Sequence, residues 1–136
     1  MKERLVILGG GESGVGAAIL GKKQGFQVFL SDKGKLKEKY REKLLQNEIE
    51  FEEERHTESK VLEADLVVKS PGIPSKVEII QKLKERHIPI VSEIEFASRY
   101  TDAKVIAVTG SNGKTTTSSL LHHILAEAGL KVGIGG

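Results

Sequence analysis

Short apolar runs alternate along the chain with longer stretches in which apolar residues recur every three to four positions. That alternation predicts an α/β fold with parallel strands, because a continuous apolar run of strand length is a strand covered on both faces. Strands are predicted at residues 4–8, 27–31, 49–52, 65–69 and 88–91. Between them, residues 14–24 carry Val15, Ala18, Ile19 and Lys22 at helical spacing and stop at Gly25, and Leu36, Tyr40 and Leu44 repeat every four residues. Ser75 with Glu78, and Ser92 with Glu95, have the S-x-x-E spacing of capping boxes, so each is expected to start a helix.

A polar break at Tyr100, Thr101 and Asp102 is followed by a second beginning: a predicted strand at 104–109, a glycine turn, a helix at 114–128 and a short strand at 131–134. The expected organisation is a first domain over 1–99, a linker over 100–103 and the start of a second domain over 104–136. A piece that small seldom buries a core alone, so the sequence is expected to stop early in that second domain. Leu120, Leu121, Ile124, Leu125 and Ala128 form a stripe expected to be core, either folded back on the first domain or mediating self-association.

Composition narrows the function classes. The 136 residues are 38% hydrophobic, 29% charged and 4% aromatic, the balance of a globular domain. With 21 Lys+Arg against 19 Asp+Glu no broad basic field is available for a phosphate backbone, so no nucleic acid partner is expected. Residues 33–43 are locally basic and residues 48–58 locally acidic, a pattern read as solvated faces. The absence of cysteine excludes disulfides and thiolate metal sites and fits a reducing compartment. Leu5-Val6-Ile7-Leu8 is too short for a signal core or a membrane span. A cytoplasmic protein without membrane insertion is expected.

Two glycine loops carry the candidate chemistry. Gly9-Gly10-Gly11-Glu12-Ser13-Gly14 fits G-x-G-x-x-G between a predicted strand and helix. Gly9 permits the tight turn, Gly11 removes a side chain that would hold a diphosphate away, and Gly14 allows close helix–strand packing. Asp32 ends the next strand, where a dinucleotide-binding fold places a carboxylate for a ribose or a base. The loop defines a Rossmann-like unit without identifying the nucleotide; a tight βα connection with no ligand is the alternative. Ser70-Pro71-Gly72-Ile73-Pro74 follows the fourth strand at the same edge, as a rigid turn or as a wall of the same site. The second loop, Gly110-Ser111-Asn112-Gly113-Lys114-Thr115-Thr116, is a shortened P-loop: Val108 stands where the general pattern has its first glycine. Its amides suit phosphate oxygens of ATP or GTP, Lys114 adds a point charge, and the Thr115 hydroxyl suits Mg²⁺.

Together the first loop, Asp32, Ser70 to Pro74, Glu93-Ile94-Glu95 and Thr109 to Thr116 resemble, in order and spacing, the Mur ligases of peptidoglycan synthesis. The resemblance covers essentially the whole chain but about the first third of such an enzyme. Within the family, the Ser-Pro-Gly-Ile-Pro loop and the Asn112 form of the P-loop point to the member that adds D-glutamate to UDP-N-acetylmuramoyl-L-alanine. The resemblance implies an ATP-dependent amide ligase. Gly11, Glu12, Ser13 and Gly14 would meet the diphosphate, Asp32 and Lys33 the uracil, and Ser70, Pro71 and Gly72 the same pocket. Gly110 to Thr116 would hold ATP with Mg²⁺, with Lys114 and Thr115 in catalytic roles. It further implies phosphoryl transfer to the alanine carboxylate, then displacement of phosphate by the D-glutamate amine. Later metal ligands and the D-glutamate-binding domain are not in the sequence, so the chain is expected to bind but not ligate. Two other classes compete: an NAD-binding regulatory or dehydrogenase domain, which leaves the second loop unexplained, and a small P-loop kinase or GTPase, for which too little chain follows Thr116.

Overall fold

The structure, a computed structural model, describes residues 1–135. The chain divides into two compact units, one over Met1–Thr101 and one from Asp102 onward. In the first, β1 (Arg4–Leu8), β2 (Gln27–Ser31), β3 (Glu50–Glu52), β4 (Leu66–Lys69) and β5 (Ile90–Val91) form one parallel sheet in the order β3-β2-β1-β4-β5. The connecting helices are α1 (Glu12–Lys23), α2 (Glu38–Gln46), α3 (Glu58–Val61) and α4 (Glu78–Glu85), and α5 (Glu93–Ser98) follows β5. The fold is thus the Rossmann-like α/β sheet that the apolar alternation predicts.

The central strand explains why the run Leu5-Val6-Ile7-Leu8 has no polar member: all four residues are fully buried. Leu5 and Ile7 join one core layer with Val15, Ala18, Leu44 and Phe96, while Val6 and Leu8 face the opposite layer with Phe29, Val67, Ile80 and Leu83. Alternate residues of one strand therefore serve two cores, as a doubly covered sheet requires. On α2, Leu36 just ahead of the helix and Tyr40 and Leu44 within it are buried, the predicted stripe. Gly21 brings α1 close to β1; a Cβ there would lie 2.3 Å from a Leu5 methyl.

Ser92 caps α5, its hydroxyl accepting from the Glu95 amide at 3.1 Å, although the Glu95 carboxylate turns to Arg99 instead of completing the box. Ser75 does not cap α4. A turn from the Val77 amide to the Pro74 carbonyl delays the helix, Val77 becomes its first flanking residue, and Glu78 pairs with Lys82. The acidic and basic stretches are also less separate than their charge patterns suggest: Glu53 binds Arg41 and accepts from the Leu36 amide at 2.8 Å.

The second unit differs from expectation. Its helix, α6 (Lys114–Glu127), forms, but residues 104–109 and 131–134 are not strands. An extended segment becomes a strand only when a neighbour takes its amides and carbonyls, and no such pairing exists there among the described residues. The β-P-loop-α-β unit is present as its loop and helix alone. No residue of α6 is buried: Leu120 and Ile124 are exposed, and Leu121 and Leu125 half-buried. The expected core stripe is not core, because a helix buries such a face only against another layer. Among the described residues no helix is long and apolar enough to cross a membrane.

Candidate functional site

The sheet order reverses at β1, whose neighbours are β2 on one side and β4 on the other. Chain leaving β1 and β4 diverges there and opens a crevice at the carboxyl edge, the usual ligand position in open α/β sheets. A cleft of about 300 Å³ occupies it, lined by Gly9, Gly10 and Gly11, by Asp32 and Lys33, by Ser70 and Gly72, and by His56. Ile73, Pro74 and Val77 make its apolar wall.

The first loop is shaped by close approaches on three sides. Gly9 has φ +104°, and a Cβ there would lie 2.8 Å from that of Ser70. At Gly10 a Cβ would meet a Leu36 methyl at 2.1 Å, and at Gly14 it would meet the Gly9 carbonyl oxygen at 2.0 Å. Gly11 is the exception: nothing lies within 4 Å of its Cβ position, so its missing side chain leaves space on the cleft side. Gly9 donates its amide to the Ser31 carbonyl and Gly10 to Asp32, while the first amide of α1 to reach the Gly11 carbonyl is that of Val15. The intervening amides belong to the helix N-terminus, where unpaired N–H groups and the helix dipole favour an anion.

Asp32 is half-buried, and each of its oxygens is committed to a backbone amide: Oδ2 to Gly10 at 2.5 Å and Oδ1 to Gly34 at 2.7 Å. Its carboxylate ties the loop after β1 to the loop after β2. Lys33 is exposed on the rim beside it. Ser70 and Gly72 reach the cleft, whereas Pro71 is exposed and outside it. Glu12 and Ser13 lie on the exposed first turn of α1, outside the lining. The Ser13 hydroxyl turns away to Glu93 Oε1 at 3.0 Å, and Glu93 is buried, so its role is to anchor α5 to the start of α1.

Sequence reasoning missed two residues of this region. Lys69, the last residue of β4, donates to the carbonyls of Ser70 at 3.1 Å and Ile73 at 2.7 Å and so holds the Ser70 to Pro74 loop from inside. His56 lines the cleft and contacts Ser31. Lys69 closes β4 and His56 lies in the loop that leaves β3, and this placement at the carboxyl edge was the available signal.

In the second unit, Gly110 (φ +149°) and Gly113 (φ +75°) adopt conformations that side chains other than glycine's rarely tolerate. Gly113 caps α6, and the first amide returned to it is that of Thr117 at 2.9 Å. The amides of Lys114, Thr115 and Thr116 are therefore those a helix start leaves free. Ser111, Asn112, Lys114, Thr115 and Thr116 are all exposed. This set of amides, one ammonium and hydroxyls fits a polyphosphate with its divalent cation.

The first unit is thus an open parallel α/β sheet with an amide-lined cleft at its switch point. The profile of the MurD N-terminal domain matches residues 4–79, and that of the Mur ligase middle domain matches residues 108–136. The chain belongs to the Mur ligase family, with a MurD-type N-terminal domain. It is 60% identical over 136 residues to a UDP-N-acetylmuramoylalanine--D-glutamate ligase of Christiangramia forsetii, covering 100% of this chain and 31% of that protein. It is 58% identical over 134 residues to the ligase of the same name from Bacteroides fragilis, covering 98% and 30%. Among solved structures it resembles a murein peptide ligase from Psychrobacter arcticus, with 29% identity, a TM-score of 0.69, and 93% of this chain and 27% of that one covered. The chain therefore spans under a third of the length of these proteins.

Proposed function

We propose that the first unit holds the UDP moiety of UDP-N-acetylmuramoyl-L-alanine, and that the second contributes the ATP-phosphate cradle of an amide ligase that adds D-glutamate. The observation that supports this most is the cleft itself: one opening lined by the glycine loop, the rim of β2 and the Ser70 to Pro74 loop, with vacant space beside Gly11. Amides at the start of α1 neutralise the diphosphate, and Asp32 acts by holding the two flanking loops in register. Lys33 presents a cation and a hydrogen-bond donor at the base end, and Ser70 and Gly72 border the sugar-nucleotide on the opposite wall.

Gly110 to Thr116 hold the ATP phosphates, with the Thr115 hydroxyl on Mg²⁺ and Lys114 beside the terminal phosphates. Bound ATP supplies the phosphoryl group that converts the alanine carboxylate to an acyl phosphate, from which the D-glutamate amine displaces phosphate. The cradle's part is positioning and charge neutralisation, the main sources of catalysis in phosphoryl transfer. The 136-residue chain binds and does not ligate, and the protein acts in the cytoplasm. Titration calorimetry with UDP-N-acetylmuramoyl-L-alanine, ATP-Mg²⁺ and NAD tests the reading: the first two bind and NAD does not. Tight NAD binding with indifference to the UDP-sugar would replace it with the dehydrogenase-like alternative.

A further inference from the structure

At the β3 end of the cleft lies a polar cluster that the reading above leaves unused. Ser31 is fully buried, and its hydroxyl oxygen sits 2.7 Å from Glu52 Oε1, 3.3 Å from the Arg55 carbonyl oxygen and 2.6 Å from His56 Nδ1. Glu52 is also buried. Its Oε1 accepts from the Thr57 amide at 2.6 Å, its Oε2 takes the Thr57 hydroxyl, and Arg55 Nε lies 3.5 Å away. Burial pushes the Glu52 carboxyl up, but the Thr57 hydroxyl and amide, Ser31 and Arg55 outweigh it and hold the carboxyl below its ordinary value. Glu52 is therefore an ionised acceptor.

A serine hydroxyl carries one proton. Glu52 and the Arg55 carbonyl can only accept, so the Ser31 proton goes to one of them. The 2.6 Å approach of His56 is then attractive only if Nδ1 carries a proton. This fixes the ring as the Nδ1–H tautomer and leaves the lone pair on Nε2. Burial, then Lys33, lowers the His56 pKa, against smaller opposing pulls from Glu52 and Asp32, so the ring is neutral at pH 7.

The ring lines the cleft next to Asp32 and Lys33. Along the carboxyl edge the β3, β2, β1 and β4 ends follow in that order, and His56 follows β3, so it comes to the cleft from the side opposite the Ser70 to Pro74 loop after β4. Asp32 already spends one lone pair of each oxygen on an amide and the Lys33 ammonium only donates, so Nε2 adds an imidazole acceptor at this end. We propose that His56 reads the base of a bound nucleoside diphosphate, its Nε2 accepting from an imide N–H such as that of uracil. The inference rests on the sugar-nucleotide reading of this cleft. An imide places a donor between two carbonyls, which complements an Nε2 acceptor beside the Lys33 donor. Cytosine at the same place would oppose its own ring-nitrogen lone pair to that of Nε2.

The test is calorimetric titration of the full chain with UDP and with CDP at pH 7.5, for wild type, His56→Ala and His56→Gln. Wild type should prefer UDP about tenfold, the worth of one made against one opposed hydrogen bond. His56→Ala should reduce the preference to about twofold or less, and His56→Gln, whose amide can offer an acceptor, should restore part of it. A histidine that only buttresses the rim would weaken UDP and CDP equally. An unchanged ratio in His56→Ala, with UDP still bound, overturns the role of His56 and leaves the sugar-nucleotide reading standing. Failure of wild type to bind either nucleotide overturns both. A long-range ¹H–¹⁵N spectrum of the unliganded wild type supplies a readout independent of any variant: Nδ1–H is expected for His56, and an Nε2–H ring overturns the inference.

Discussion

Replacing Gly14 by alanine would place a Cβ 2.0 Å from the Gly9 carbonyl oxygen and 3.0 Å from its carbon. Both are backbone atoms of the turn after β1, so no side-chain rotation relieves the clash and α1 must move off the loop by about 1 Å. Overpacking of this kind costs about 1–3 kcal/mol, offset by at most about 1 kcal/mol from alanine's better helix propensity. A net loss of about 1–2 kcal/mol lowers the melting temperature of a domain near 100 residues by about 5–15 °C. Gly11→Ala provides the contrast. Its φ of −73° and ψ of −173° suit alanine and the Cβ meets nothing, so the free protein should melt within about 4 °C of wild type. The same methyl projects where the diphosphate approaches and should weaken UDP binding by about tenfold or more. Thermal unfolding followed by circular dichroism, with UDP titration of each variant, separates the two roles. A Gly14→Ala protein as stable as wild type, or a Gly11→Ala protein that binds UDP as well as wild type, would refute the division between packing glycine and access glycine.

Asp32→Ala removes the acceptor of two loop amides and should cost about 1–2 kcal/mol in urea unfolding, with the amides of Gly10 and Gly34 exchanging faster in hydrogen-exchange measurements. Acid should destabilise the first unit through two neighbouring groups. Glu52 has a folded pKa below its unfolded one, so its contribution is complete above the ordinary carboxylate range and is lost as pH falls through the depressed value. The lowered pKa of His56 acts in the same direction at higher pH, below the ordinary histidine range. Chemical denaturation at pH 7, 5.5 and 4 should therefore show falling stability, and Glu52→Gln should flatten the lower part of that profile. Lys114→Ala should abolish ATP-Mg²⁺ binding in calorimetry while leaving the unfolding of the first unit unchanged.

Strands β1 and β2 were legible to the residue because each carries a continuous apolar run, Leu5 to Leu8 and Val28 to Leu30, that gives way to polar residues or glycine. The others were legible in place but not in length. Residues 88–91 read as a strand from hydropathy, yet only Ile90 and Val91 pair in register with β4, and Pro89, with no N–H to give, adds just a carbonyl that accepts from the Val67 amide. The four-residue helix α3 was invisible because one turn has no periodicity to detect. Ser75 had the right spacing for a cap, but Pro74 fixed a turn that postponed the helix, so local pattern lost to local geometry. The stripe on α6 showed an apolar face and could not show what would cover it. For the cleft, glycine spacing identified the loop, whereas the engagement of Asp32 with Gly10 and of His56 with Ser31 depends on loops 22 and 25 residues apart meeting at one edge.

In the proposed function a phosphorylated ligand sits against the start of α1. Titrating ¹⁵N-labelled chain with UDP-N-acetylmuramoyl-L-alanine and following backbone amide resonances observes that contact directly. The largest shifts should fall on Gly11, Glu12 and Ser13, with further shifts at Lys33 and Gly72. Shifts confined to other surfaces, or a spectrum unaltered at saturating ligand, would contradict it.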